Sequence, residues 1–113
     1  MMTCATKQDL EHIDERHGPH GSADARFDAN FLNRKGGYAK VMQEAGDNGV
    51  SQVESDNSGR MIYRYYYNFN EKTGVGIDRD GKSVYFKGVE MVGTSSGLVL
   101  MVETMFPKGI LKT

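Results

Sequence analysis

The spacing of apolar positions changes near residue 50. Upstream they recur at helical intervals, and downstream they alternate as in strands. Over 7–17, Leu10 and Ile13 form a stripe that His17 continues by the i, i+3, i+7 rule. Thr6 with Asp9 three residues on predicts the start of this helix, and Gly18-Pro19 predicts its end. Residues 1–6 read as a loose end, and 21–33 as a loop anchored by Phe27 and Phe31. A second helix is predicted over 34–45, where Tyr38, Val41, Met42 and Ala45 are helically spaced. Gly36-Gly37 weakens its start, and the run 46–49 ends it.

Strands are predicted at 50–54, 60–68, 75–77, 82–92 and 98–106. Turn chemistry separates them at 56–59, 70–76, 78–81 and 93–97, and Pro107 is expected to stop the last one. In the longer strand over 82–92, Val84, Phe86, Val89 and Met91 are expected to point inward. The tyrosines at 63, 65, 66 and 67 must divide between the two faces of their strand. The resulting fold class is α+β: two N-terminal helices packed on a four- to five-stranded antiparallel sheet, in one domain over 1–113.

Composition refines this picture. Fourteen glycines and two prolines among 113 residues suit a fold of tight turns. A net charge of −1 argues against a whole surface that grips nucleic acid, but leaves room for a local basic patch. The single cysteine, Cys4, cannot form an intramolecular disulfide. No apolar run is long enough to span a membrane. No basic-then-apolar leader opens the chain, so a domain acting outside its producer is expected to travel within something larger.

The candidate chemistry is concentrated near the N-terminus. All three histidines, 12, 17 and 20, lie within nine residues, and histidine exchanges protons near neutral pH. His17 falls at the last helical turn beside the core, with His12 and Arg16 on a neighbouring face. His12 and His17 are five residues apart, so they point about 140° apart on an ideal helix. They cannot both face one phosphate unless the helix ends early, so if the site is catalytic one histidine is expected to be the principal catalyst, with a partner from elsewhere in the fold. The window 26–40 carries Arg26, Arg34, Lys35 and Lys40 against Asp28, which reads as a phosphate-binding rim or as a solvated face. A tyrosine of the aromatic strand, Tyr65, is the candidate platform for a stacked base.

The run His12-Ile-Asp-Glu-Arg-His17-Gly, the loop with Ser22 and Phe27, and the closing Thr104-Met-Phe106-Pro107 together resemble EndoU-like nuclease domains. These stand at the C-terminal ends of bacterial polymorphic and contact-dependent inhibition toxins. Such domains open on His-Ile-x-x-Arg-His-Gly, pass through a small-residue loop to Ser-x-Phe, and close on Thr-x-aromatic-Pro. The resemblance covers 9–27 and 98–107; Ala25 stands where the loop serine of the pattern falls. It implies the wider barnase–EndoU–colicin–RelE superfamily, whose members cleave RNA without a metal. By that implication the chain is a metal-independent endoribonuclease toxin with no cofactor. It is monomeric when free, delivered within a larger secreted toxin to the target-cell cytoplasm, and neutralised by a cognate immunity protein. His17 and His12 are the candidates for proton transfer. Arg16 is a candidate for charge stabilisation, and Thr104 for a hydrogen bond to the phosphate. Arg34, Lys35, Lys40 and Tyr65 are the candidates for holding substrate.

Two other classes compete. Asp9, His12, His17 and His20 offer ligand types that suit zinc, but at a spacing that matches no zinc signature. A near-neutral charge, acidic stretches at 9–15 and 54–56 and a tyrosine-rich strand suit a protein-binding module such as an immunity or adaptor protein.

Overall fold

The structure is a computed structural model and describes residues 1–112. The described residues form three helices and an open, seven-stranded mixed sheet. In chain order these are β1 (Met2–Cys4), α1 (Lys7–His17), β2 (Arg26–Phe27), α2 (Ala29–Lys35) and α3 (Tyr38–Asn48), then β3 (Val50–Ser55), β4 (Met61–Asn68), β5 (Gly74–Ile77), β6 (Ser83–Ser96) and β7 (Val99–Ile110). The α+β class agrees with the sequence pattern, whereas the expected two helices and four to five antiparallel strands require correction.

Each correction has a local cause. Met2–Cys4 is not a loose end; it pairs parallel with Val99–Met101 of β7 and makes the sheet mixed. The expected loop over 21–33 contains β2 and the start of a helix. Asp28 caps that helix by accepting from the Phe31 N–H at 3.2 Å. Gly36-Gly37 does more than weaken the second helix. Gly36 at φ 91° ends α2 in the left-handed region, and Gly37 at φ 99° opens α3, so one predicted helix is two. Pro107 does not stop β7. β1 covers only the start of that strand, so Pro107 lies along a free edge, where a strand tolerates proline. β6 and β7 consequently form a hairpin of 14 and 12 residues that turns at Gly97.

The sheet order is β1-β7-β6-β4-β3, with β5 also paired to β6 and β2 to β5. One row of partners sets its two faces: Tyr65 opposite Met91, and Met91 opposite Met105. All three are buried, together with Val89, Leu100 and Val102. The helices cover this face with Ile13, Phe31, Leu32, Val41, Met42 and Ala45. Alternation sends the intervening residues to the other face. These include Arg64 and Tyr66 of β4, Glu90 and Val92 of β6, and Thr104, Phe106 and Lys108 of β7. α1 packs on β7. Thr6 caps it, accepting from the Asp9 N–H at 3.0 Å, and Gly18 ends it at a point where a Cβ would strike Asp14 and the Tyr38 hydroxyl.

Ile13 fixes α1 to the sheet and is fully buried. Ile13→Ala is expected to cost about 2–5 kcal/mol. The check is the urea midpoint, which should fall with the slope unchanged.

Candidate active site on the open face of the sheet

His17 is the last residue of α1 and is half-buried. Its Nδ1 lies 2.8 Å from the Ala25 carbonyl oxygen. A carbonyl only accepts, so Nδ1 carries the proton and Nε2 of the neutral ring holds the free lone pair. The loop that supplies Ala25 folds tightly back on the helix end. The Ser22 and Ala23 N–H groups donate to the Glu15 and Arg16 carbonyls, and Arg16 Nη1 donates to Ser22 Oγ at 3.0 Å. Burial pushes the His17 pKa below its ordinary value, and the nearby charges of Arg16 and His12 act in the same direction. The Ala25 hydrogen bond opposes them without prevailing.

The His17 ring packs on Phe106, with centroids 5.4 Å apart. Phe106 is the cross-strand partner of Glu90, so the helix end and the open face meet at this ring. Glu90 is a carboxylate only 7% exposed in the middle of β6. A buried charge requires partners, and Glu90 has two: Lys108 Nζ at 3.1 Å from Oε1 and Arg64 Nη1 at 3.2 Å from Oε2. Arg64 Nε also donates to Glu54 at 2.9 Å. Glu90, Arg64 and Lys108 line an open cavity of about 420 Å³, with Tyr66, Gln52 and Val50 on its walls. Gly88 and Gly109 make room for the Tyr66 ring, since a Cβ at either position would run into its hydroxyl. Burial and the Glu90 charge push the Tyr66 hydroxyl pKa up, so it stays protonated.

The other predicted residues fall in several places. His12 and His20 are exposed, and His12 is one of the minor influences on His17. Thr104 is half-buried opposite Val92, on the same face as Phe106 two residues on. Tyr65, expected as a stacking platform, is in the core at 8% exposure because the buried row takes that phase of β4. Tyr66 is the tyrosine that the open face presents. Arg34 and Lys35 lie on α2, within the helix layer, and already have partners. Arg34 is 2.7 Å from Glu71, and Lys35 is 3.6 Å from both Glu71 and Glu44 and sits over the Phe69 ring. Lys40 is exposed on α3. Asp9, His12, His17 and His20 do not gather: among the described residues no three or more His, Cys, Asp or Glu side chains are grouped to hold a metal ion.

Sequence reasoning did not single out Glu90, Arg64, Tyr66 or Lys108. A signal for Glu90 was present, since it interrupts the otherwise apolar run Val89-Glu-Met-Val92. Arg26 directly follows the carbonyl that holds His17. Its Nε is buried with no hydrogen-bond partner among the described residues, the one such side-chain atom among them. No family model, curated protein or solved structure matches the chain.

The His17 pKa has a consequence for stability. The unfolded chain binds the proton more readily, so the stabilisation from neutral His17 is complete above about pH 6.5. It is lost as pH falls through the lower folded value. NMR titration of the ring should give a midpoint below that of an unfolded peptide. His17→Gln should flatten the fall in stability between neutral and mildly acidic pH.

Proposed function

We propose that the chain is a metal-independent ribonuclease of the bacterial toxin type, cleaving RNA by transesterification at the 2′-hydroxyl. The observation that carries this reading is His17 itself. It is a neutral imidazole with Nδ1 pinned by Ala25 and its ring set against Phe106, the cross-strand neighbour of Glu90, which two cations in turn hold. Nε2 takes the proton of the 2′-hydroxyl, and the 2′-oxygen attacks phosphorus. The bond to the 5′-oxygen breaks, and that oxygen takes a proton from the solvent that reaches this face. The products are a 2′,3′-cyclic phosphate and a 5′-hydroxyl. Thr104 donates its hydroxyl to the crowded phosphate, and Arg16 holds the loop behind His17 through Ser22. The His12-to-Gly18 and Thr104-to-Pro107 motifs support the EndoU-like assignment. With it come delivery within a larger secreted toxin, action in the target-cell cytoplasm and a cognate immunity partner.

A second reading, a protein-binding module such as an immunity or adaptor protein, is favoured by one observation. β3 is an edge strand exposed along its whole length, with Val50 74% and Val53 49% exposed. Such an edge accepts a partner strand.

The test is incubation of purified protein with total RNA in the presence of a chelator. Wild type should yield discrete fragments ending in cyclic phosphate. His17→Ala should lower the rate by about 10²–10⁴-fold, the range for losing a general base. His12→Ala, on the exposed face of α1, should stay within a few-fold of wild type. Intact RNA from folded wild type would favour the binding module, and fragments only without chelator would favour a metal enzyme.

A further inference from the structure

We propose that the Glu90 cavity binds one ribonucleotide unit, with its phosphate on Lys108 and Arg64, its ribose hydroxyls on the Glu90 carboxylate and its base against Tyr66. The proposal rests on the ribonuclease reading for its place in the reaction, but the binding stands on the cavity alone. The polar groups are sorted by depth. The Glu90 side chain is 9% exposed and forms the floor, while those of Lys108 and Arg64 are 55% and 39% exposed and stand at the rim. An anion cannot sit on the floor against the carboxylate, but it can reach the rim. There both cations keep N–H groups beyond those given to Glu90 and Glu54. A neutral hydroxyl donor suits the floor, because each Glu90 oxygen accepts from one cation and retains lone-pair capacity.

The third feature is the aromatic wall. Gly88 and Gly109 let the Tyr66 ring lie close over the backbone, and Tyr66 lines the cavity beside Val50 and Gln52. An aromatic face takes any base. Rim cations, a buried acceptor and an aromatic wall in one cavity of about 420 Å³ match the phosphate, ribose and base of a nucleotide in series. The 2′-hydroxyl is what distinguishes RNA from DNA, and here its acceptor is Glu90. This cavity would therefore set the preference for ribose over deoxyribose.

The experiment is a binding titration by NMR or calorimetry with adenosine 5′-monophosphate, its 2′-deoxy analogue and inorganic phosphate. The ribonucleotide should bind wild type about tenfold more tightly than the deoxy analogue. Glu90→Gln should bring the two affinities together. Lys108→Ala, at an exposed position, should weaken both nucleotides by about tenfold. Arg79→Ala, in an exposed turn, should change neither, and circular dichroism should show every variant folded. Equal ribo and deoxy affinities in wild type would overturn the assignment of Glu90. Inorganic phosphate binding as tightly as the nucleotide would reduce the cavity to an anion site and overturn the proposal. RNA cleavage without nucleotide binding would overturn this cavity and leave the ribonuclease reading intact. Ribose-selective binding without RNA cleavage would support the cavity and remove the catalytic reading.

Discussion

The row Tyr65–Met91–Met105 sets the phase of the three central strands. Side chains alternate along a strand, so burying these three sends Arg64, Tyr66, Glu90, Thr104, Phe106 and Lys108 to the opposite face. A slip of one residue would put charges into the core and the methionines into water. The row is stable because helix residues Val41, Met42 and Ala45 complete the same apolar cluster. The open face is thus a by-product of the core register, and everything assigned to function depends on it.

Two different electrostatic situations adjoin the Phe106–Glu90 pair. At Glu90 a charge is taken out of water and matched by Arg64 and Lys108; removing either partner would leave it poorly compensated. At His17 burial acts on a group that can lose its charge, and it does so by favouring the neutral ring. Phe106 lies between them, packed on His17 and paired with Glu90. The geometry thus keeps a proton acceptor at the helix end and concentrates fixed charge in the cavity. This division suits a reaction in which a proton moves at one point while an anionic backbone is held at another.

Much of this was legible in the chain. The extent of α1, its Thr6 cap and the position of His17 at its end follow from spacing and capping residues. So do the change to strands near residue 50 and the aromatic strand over 60–68. What was not legible depends on pairing between distant segments. Met2–Cys4 carries no local strand signal and is ordered by the edge of β7. The break at Gly36-Gly37 was visible as two glycines, but the helix before it required Asp28 to be read as a cap. The phase of β4 was hidden because tyrosines occupy both of its faces; only Met91 and Met105 decide that Tyr65 goes in and Tyr66 comes out. Glu90, Arg64 and Lys108 are far apart in sequence, so nothing local announced their meeting.

RNA is proposed to engage the open sheet face beside His17, and not the cations Arg34, Lys35 and Lys40 of α2 and α3. The most direct measurement is amide and side-chain NMR of the protein titrated with an RNA oligonucleotide whose bridging 5′-oxygens are replaced by methylene, which cannot be cleaved and keeps every 2′-hydroxyl. The account predicts shifts at His17, Arg64, Tyr66, Glu90, Phe106 and Lys108, with Arg34, Lys35 and Lys40 unmoved. Shifts confined to those three cations of α2 and α3, or no shifts at all, would contradict it.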